Sequence, residues 1–244
     1  VLFRSLDDAS VGAATGYRWY VGESGRFAPL LRSVWNASSV TMLGSHNRNF
    51  SWGGSMALRR DVFDRIGVRQ AWEHAVSDDY AVTRAVRAAG LRVAFVPTCL
   101  IPSYGDTDFL SMLEFTTRQV IITRVYEPRM WRLAFFGQTV FNVAFWGGLL
   151  LPGRGRLVTL GLYVLSGIKS LVRYNGVAAV LPESALSKYR ASYILWAPLT
   201  ALLFEYNLVR SALTRNITWR QIQYRLHSPD RTEVRRGERG SSTR

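Results

Sequence analysis

The sequence predicts a mixed α/β layer followed by transmembrane or interfacial helices, on three observations. Strand-like and helix-like segments succeed one another as far as about residue 130, the pattern of a layered α/β domain. The composition then changes to long apolar runs, of which Leu133 to Leu151 holds 19 residues without a charge, enough to cross a hydrocarbon core of about 30 Å. Lysine plus arginine outnumber aspartate plus glutamate by 31 to 17, and only Lys169 and Lys188 are lysine, so the positive charge is almost all arginine. That bias suits an anionic partner such as a nucleotide, a lipid surface or a nucleic acid.

Element by element, "VGAATGYRWYV" (11–21) clusters apolar and aromatic residues as a buried strand does, and "VTMLGSHNRNFSW" (40–52) reads as a second strand ending in a polar turn. "SMALRRDVFDRIG" reads as a helix closed by Gly67, and "DDYAVTRAVRAAG" as a helix closed by Gly90. "LRVAFVP" is a short buried strand stopped by Pro97.

Beyond the uncharged run, "LVTLGLYVLSGI" (157–168) is either a span with Lys169 and an arginine snorkelling or a helix lying in the interface. "YILWAPLTALLF" (193–204) becomes a span only by carrying Glu205 through to Val209 or by starting near Ala191. Trp131, Trp146, Tyr163, Tyr193 and Trp196 stand near the segment ends as interfacial anchors do. Arg118, Arg124, Arg129 and Arg132 crowd the start of the first segment, which places the preceding domain in the cytoplasm. Three spans would put the basic tail outside; two would put it inside but leave Lys169, Arg173, Lys188 and Arg190 out, so topology stays open. The rival reading is a set of buried core helices in a soluble domain. The last stretch, "SPDRTEVRRGERGSSTR", is polar enough to be disordered.

The single Cys99 excludes an internal disulfide and a cysteine-rich zinc site, and His46, His74 and His227 have no metal-ligand spacing. Any metal would need carboxylates. The chain opens on Val1 with no signal-peptide pattern and reads as a fragment. Its arginines are dispersed or beside apolar runs, against a nucleic-acid partner.

Two features concentrate chemistry. Asp78 and Asp79 stand side by side at the front of a helix, where carboxylates are favoured by the helix dipole by about 0.3–1 kcal/mol each, so capping alone explains them. The alternative is catalytic: a carboxylate beside a second carboxylate is less acidic and holds a transferred proton better. Upstream, Gly53 and Gly54 in "NRNFSWGGSMALRRDVFDRIG" let a ligand approach the main chain closely, or simply make a turn.

The ordered set "WGGSMALRRDVFDRIG", "SDDYAVTRAVRAAGLRVAFVP", a basic aromatic segment and apolar spans resembles the C-terminal half of membrane-associated family 2 glycosyltransferases of the GT-A type. The likeness is strongest to the ceramide glucosyltransferase-like branch and covers about residues 6–228, "ITWRQIQYRL" included. The resemblance implies a hexosyltransferase that moves a sugar, with inversion, from a nucleotide sugar to a lipid acceptor at the cytoplasmic face of the inner (plasma) membrane. Asp79 takes the position of the general base, and Asp78 stands where the family usually has glutamate. Trp52, Gly53 and Gly54 would shape the donor-sugar and acceptor pocket. The family's (Q/R)xxRW motif is not matched by "TTRQVIITRVYEPRMW", yet Gln119 and Arg124 are its candidates for diphosphate contacts, against a plain interfacial helix whose arginines meet lipid phosphates.

The family also holds Mg²⁺ or Mn²⁺ through an earlier aspartate and a DxD element. Here the only DxD, Asp106 and Asp108, follows the acid pair instead of preceding it and is read as unrelated, so no metal ligand is assigned in this chain. The nucleotide-binding half would then lie before residue 1, and the 244-residue chain alone would be inactive. The resulting division is 1–130 as the C-terminal half of a GT-A-like catalytic domain, 131–209 as a multi-pass membrane region of two or three spans, and 210–244 as a basic tail. Two rivals remain: a processive polysaccharide synthase of the same superfamily, and a basic membrane-anchored binding protein in which the acids only cap a helix.

Overall fold

The computed structural model describes residues 2–182, 186 and 190–235. Its centre is a three-stranded sheet in the order β2-β1-β3. β1 (Val11–Val21) is the apolar run expected, and β3 (Arg92–Tyr104) lies parallel to it, as a helical crossover requires. β2 (Met56–Ala57) pairs antiparallel on the other side. One end of β1 packs on α4 (Asp78–Ala88) through Ala13, Val82, Val86 and Val93. The other end packs on α1 (Phe27–Val40) through Trp19, Val34 and Ala37.

Four sequence expectations change here. Residues 40–52 form no strand: Val40 ends α1, and the rest is a loop whose polar groups are met by side chains instead of a ladder. Asn49 bonds Gly44 N–H and carbonyl and the Val93 carbonyl, Ser51 N–H reaches Thr83 Oγ1 at 2.9 Å, and Trp52 N–H reaches Thr15 Oγ1 at 2.9 Å. "SMALRRDVFDRIG" divides into β2 and the shorter α2 (Arg60–Arg65), because Met56 and Ala57 pair with Thr15 and Ala14; Gly67, left-handed at φ 68°, leads into α3 (Val68–Trp72). Pro97 does not stop β3: Thr15 pairs with Phe95 and Tyr17 with Leu100, so the proline sits in a bulge where no ladder donor is needed. The stretch from Ser228 is ordered as far as Arg235 by strand pairing; the remainder of that tail, like Lys188, lies outside the described residues.

α5 (Phe109–Tyr126) leads through Glu127 into α6 (Pro128–Leu150), and a short turn joins α6 to α7 (Arg154–Ala178). At 23 and 25 residues, about 34 and 37 Å long, these are the two described helices long and apolar enough to cross a membrane. Most of their side chains are not buried: Leu133, Leu150 and Leu157 are 76%, 86% and 67% exposed. The third apolar run is broken at Trp196 into α8 (Arg190–Leu195) and α9 (Ala197–Leu213). α9 carries Glu205 onward but packs Leu203 and Leu208 against Trp35, Met112 and Val120. A small antiparallel sheet, β4 (Asn216–Trp219), β5 (Ile222–Ser228) and β6 (Arg231–Arg235), closes on α5 through Ile217, Leu226, Ile121 and Tyr126.

Candidate active site

The N-terminus of α4 is built by Ser77, whose backbone is extended and whose hydroxyl accepts the Tyr80 N–H at 3.4 Å. Tyr126, at the end of α5, fixes the approach to it by accepting the N–H groups of Val76 and Ser77 at 3.0 and 3.4 Å. Tyr80 stacks on Tyr126 with ring centroids 5.4 Å apart and shares a hydrogen bond of 2.9 Å with Thr123.

The two acids do different things in this frame. Asp78 is exposed; its backbone carbonyl accepts the Trp72 indole N–H at 3.0 Å, and its carboxylate stands over Gly53 so closely that a Cβ there would lie 2.8 Å from Oδ2. Asp79 turns into a cavity of about 340 Å³. Its Oδ1 accepts the Ser77 hydroxyl and, at 2.8 Å, the Tyr80 N–H. Burial pushes the Asp79 carboxyl above the usual aspartate range; the Ser77 hydroxyl opposes this, the Asp78 charge adds to it, and the Tyr80 and Gly53 N–H groups pull the other way. The neighbouring carboxylate is thus a lesser cause than desolvation. Some of the carboxylate's bonds do cap the helix, but Ser77 already serves as the cap residue, and the cavity is what Asp79 adds.

The cavity is lined by polar and apolar side chains together. Tyr17 and Arg18 come from β1, Asn36 and Ser38 from α1, Trp52 from the loop before β2, and Gln119 and Thr123 from α5. Trp35, Phe115, Met130, Trp131 and Phe204 supply apolar lining. Burial pushes the Tyr17 phenol up to about 12, so it remains a neutral hydroxyl at physiological pH. The Arg18 guanidinium lies 4.7 Å from the Trp52 ring centroid and bonds Tyr20 Oη at 2.6 Å, while its Nε is buried without a hydrogen-bond partner.

Of the residues singled out from sequence, Asp79, Trp52 and Gln119 line one cavity. Gly53 and Gly54 support it from behind: the first gives way to Asp78 and offers its N–H to Asp79, and a Cβ on the second would overlap the Trp52 ring. Arg124 does not join them. Its guanidinium bonds the carbonyls of Ser211 and, at 2.9 Å, Ala212 at the end of α9, and it lies 5.3 Å from the Trp131 ring centroid. Arg18 escaped sequence reasoning, although an arginine inside an otherwise apolar strand, "TGYRWYV", was a usable signal.

The DxD carboxylates serve the backbone. Asp106 accepts the Glu23 and Ser24 N–H groups at 3.0 and 3.2 Å, and Asp108 caps α5 through Ser111 N–H at 2.9 Å. Beside the cavity only Asp79 offers an inward carboxylate, and no group of three candidate metal ligands occurs among the described residues. A hard divalent cation needs several oxygen ligands, so these residues do not by themselves fit one.

The family model for glycosyl transferase family 21 matches residues 28–232, which takes in the loop before β2, the acid pair and every helix lining the cavity from α1 to α9, but not β1 with Arg18. No curated protein matches the chain. With that match spanning most of its length, the chain belongs to glycosyl transferase family 21, the ceramide glucosyltransferase-like family, and is a glycosyltransferase.

Proposed function

We propose that the natural protein transfers a sugar, with inversion, from a nucleotide sugar to the hydroxyl of a membrane lipid, and that Asp79 of this chain is the general base. In this reaction the acceptor oxygen forms a bond to the anomeric carbon, the bond from that carbon to the diphosphate breaks, and Asp79 takes the hydroxyl proton. The observation that carries the reading is the position of the Asp79 carboxylate in a cavity lined by both polar and apolar side chains, as an amphipathic acceptor demands. A carboxyl already raised by burial is a better proton acceptor than an ordinary aspartate. Arg18 and Gln119 supply hydrogen-bond donors in the cavity lining for the diphosphate, and Trp52 supplies an aromatic face for the sugar.

The surroundings support a membrane setting. α6 and α7 form an antiparallel pair in which Gly148 and Gly155 touch near the turn, and α7 returns so that Tyr174 and Val177 pack on Trp19 and Val34 of the α/β layer. With both helices crossing, the layer, the small C-terminal sheet, Lys169 and Arg173 all fall on one side. The arginines at 118, 124, 129 and 132 also fall there, which favours the cytoplasmic face. Where the sequence left topology open, this pairing favours two spans in a multi-pass inner (plasma) membrane protein.

The test is sugar transfer to membrane lipids by the natural protein in its own membranes, with Asp79 intact and as Asp79→Asn. Loss of nearly all transfer by a variant that still inserts and folds is expected; equal transfer by both would reduce Asp79 to a helix cap.

A further inference from the structure

A second cavity, of about 360 Å³, lies among α1, α6, α7 and α9. Lys169 and Arg173 stand one turn apart on the face of α7 that lines it, with Gln138 and Thr200 across from them and Phe141 among its apolar walls. Neither cation has a carboxylate within ion-pair distance among the described residues, and Arg173 Nε is buried without a hydrogen-bond partner. Glu205 of α9 is held by Thr139 Oγ1 at 2.9 Å and Asn142 Nδ2 at 3.5 Å on α6. Arg173 is half-buried, and a guanidinium with a buried, unbonded Nε is costly unless an anion meets it, while Lys169 at the exposed mouth of the cleft adds a second positive charge. The face of α7 beside them that does not line the cavity is bare hydrocarbon, with Ile168 and Val172 52% and 67% exposed. Positive charge beside exposed hydrocarbon matches a ligand that is anionic at one end and apolar along the rest.

We propose that this cavity binds the phosphate headgroup of an anionic phospholipid. Lys169 and Arg173 meet the phosphodiester, the arginine as a fork and the lysine as a point charge, and the acyl chains run along the exposed face of α7. Ser38 and Phe204 line both this cavity and the one holding Asp79, so the bound lipid forms part of the wall past which an acceptor reaches the base. The inference needs α6 and α7 to lie in a bilayer; it does not need Asp79 to be the base, and its test reads lipid retention, so the two proposals fail separately.

The natural protein, extracted in mild detergent, is offered phosphatidylglycerol and phosphatidylcholine together, and the lipid it retains is read by native mass spectrometry. Preferential retention of phosphatidylglycerol is expected. Lys169→Gln with Arg173→Gln should lower that retention on the order of tenfold, as two charges near a membrane surface do. The pair Arg154→Gln with Arg156→Gln, at the other end of α7, should leave it intact. A melting temperature raised by phosphatidylglycerol and not by phosphatidylcholine, measured on the unmodified protein, supports the site even where the double variant fails to fold. Equal retention of the two lipids, no loss in the double variant, or displacement of the lipid by excess inorganic phosphate would overturn it.

Discussion

The Tyr126 phenol accepts the backbone N–H of Val76 at 3.0 Å across 50 residues of sequence, and so ties the end of α5 to the turn that presents the acid pair. Tyr126→Phe removes that acceptor and the weaker bond from Ser77. Leaving a buried donor unpaired costs about 1–3 kcal/mol. We expect Tyr126→Phe to lower the melting temperature and to reduce kcat more than KM, because Asp79 loses its fixed direction. Tyr80→Phe, which gives up only the Thr123 contact, should do less; thermal denaturation beside steady-state kinetics checks both.

Asp79 has a pH signature with a definite sign. Its carboxyl is held above the ordinary 3.8, first by burial, so the proton stays on to a higher pH in the folded protein. Its contribution to stability is therefore present below 3.8 and lost as pH rises through the folded-state value. The base must be ionised to work, so the acidic limb of the kcat/KM profile should fall above 3.8. Asp79→Asn keeps an oxygen to accept from Ser77 and Tyr80 and removes a desolvated charge. It should abolish that limb with most activity and leave the melting temperature at neutral pH unchanged or higher, whereas a pure helix cap would lose stability and keep activity.

Arg18, with an unsatisfied Nε beside Trp52, meets the donor phosphates in the proposed reaction. A charge-assisted hydrogen bond is worth about 1.5–3 kcal/mol, roughly 10- to 100-fold in binding. Arg18→Gln should raise KM for the nucleotide sugar by that factor while KM for the lipid acceptor stays within about twofold, as initial rates with each substrate varied will show.

Gly54→Ala would drive a methyl group into the Trp52 ring. Overpacking of this kind costs about 1–3 kcal/mol, and the tryptophan lines the cavity, so its displacement alters that wall. The expected result is a folded protein with kcat/KM down at least about tenfold and a reduced indole fluorescence shift on adding nucleotide sugar.

Arg124→Gln tests the residue that the structure places outside the Asp79 cavity. Loss of its bonds to the Ser211 and Ala212 carbonyls at the end of α9 should lower stability by about 1–3 kcal/mol. KM for the nucleotide sugar should not change; a tenfold rise would return Arg124 to the site.

Much of the fold was legible because its signals are short in range. β1 is apolar along its length, α4 begins at a serine cap and ends before Gly90 at φ 71°, and the first apolar run is unbroken by charge. The acid pair stood out for the same reason, since two adjacent carboxylates at a helix start are visible without any partner. α1 was missed: "FAPLLRSVWNASSV" lacks a side-chain cap, and its buried Ser33 and Asn36 blur the apolar stripe. The loop before β2 was misjudged because its "VTML" looks strand-like, while the side chains that satisfy its backbone, Thr15 and Thr83, lie 37 and 32 residues away.

The sequence by itself determined β1, α4, the apolar helices, the acid pair and the likeness to ceramide glucosyltransferase-like enzymes. Only the tertiary structure decided which long side chains share a cavity. Arg18 and Arg124 are each one arginine in a helix or strand, and nothing within several residues of either tells that the first turns toward Asp79 and the second reaches Ser211, 87 residues on. Helix caps and periodicity act through neighbours in the chain, but an arginine's partner is set by which elements pack against it. Its charge is therefore readable from the letters and its role is not.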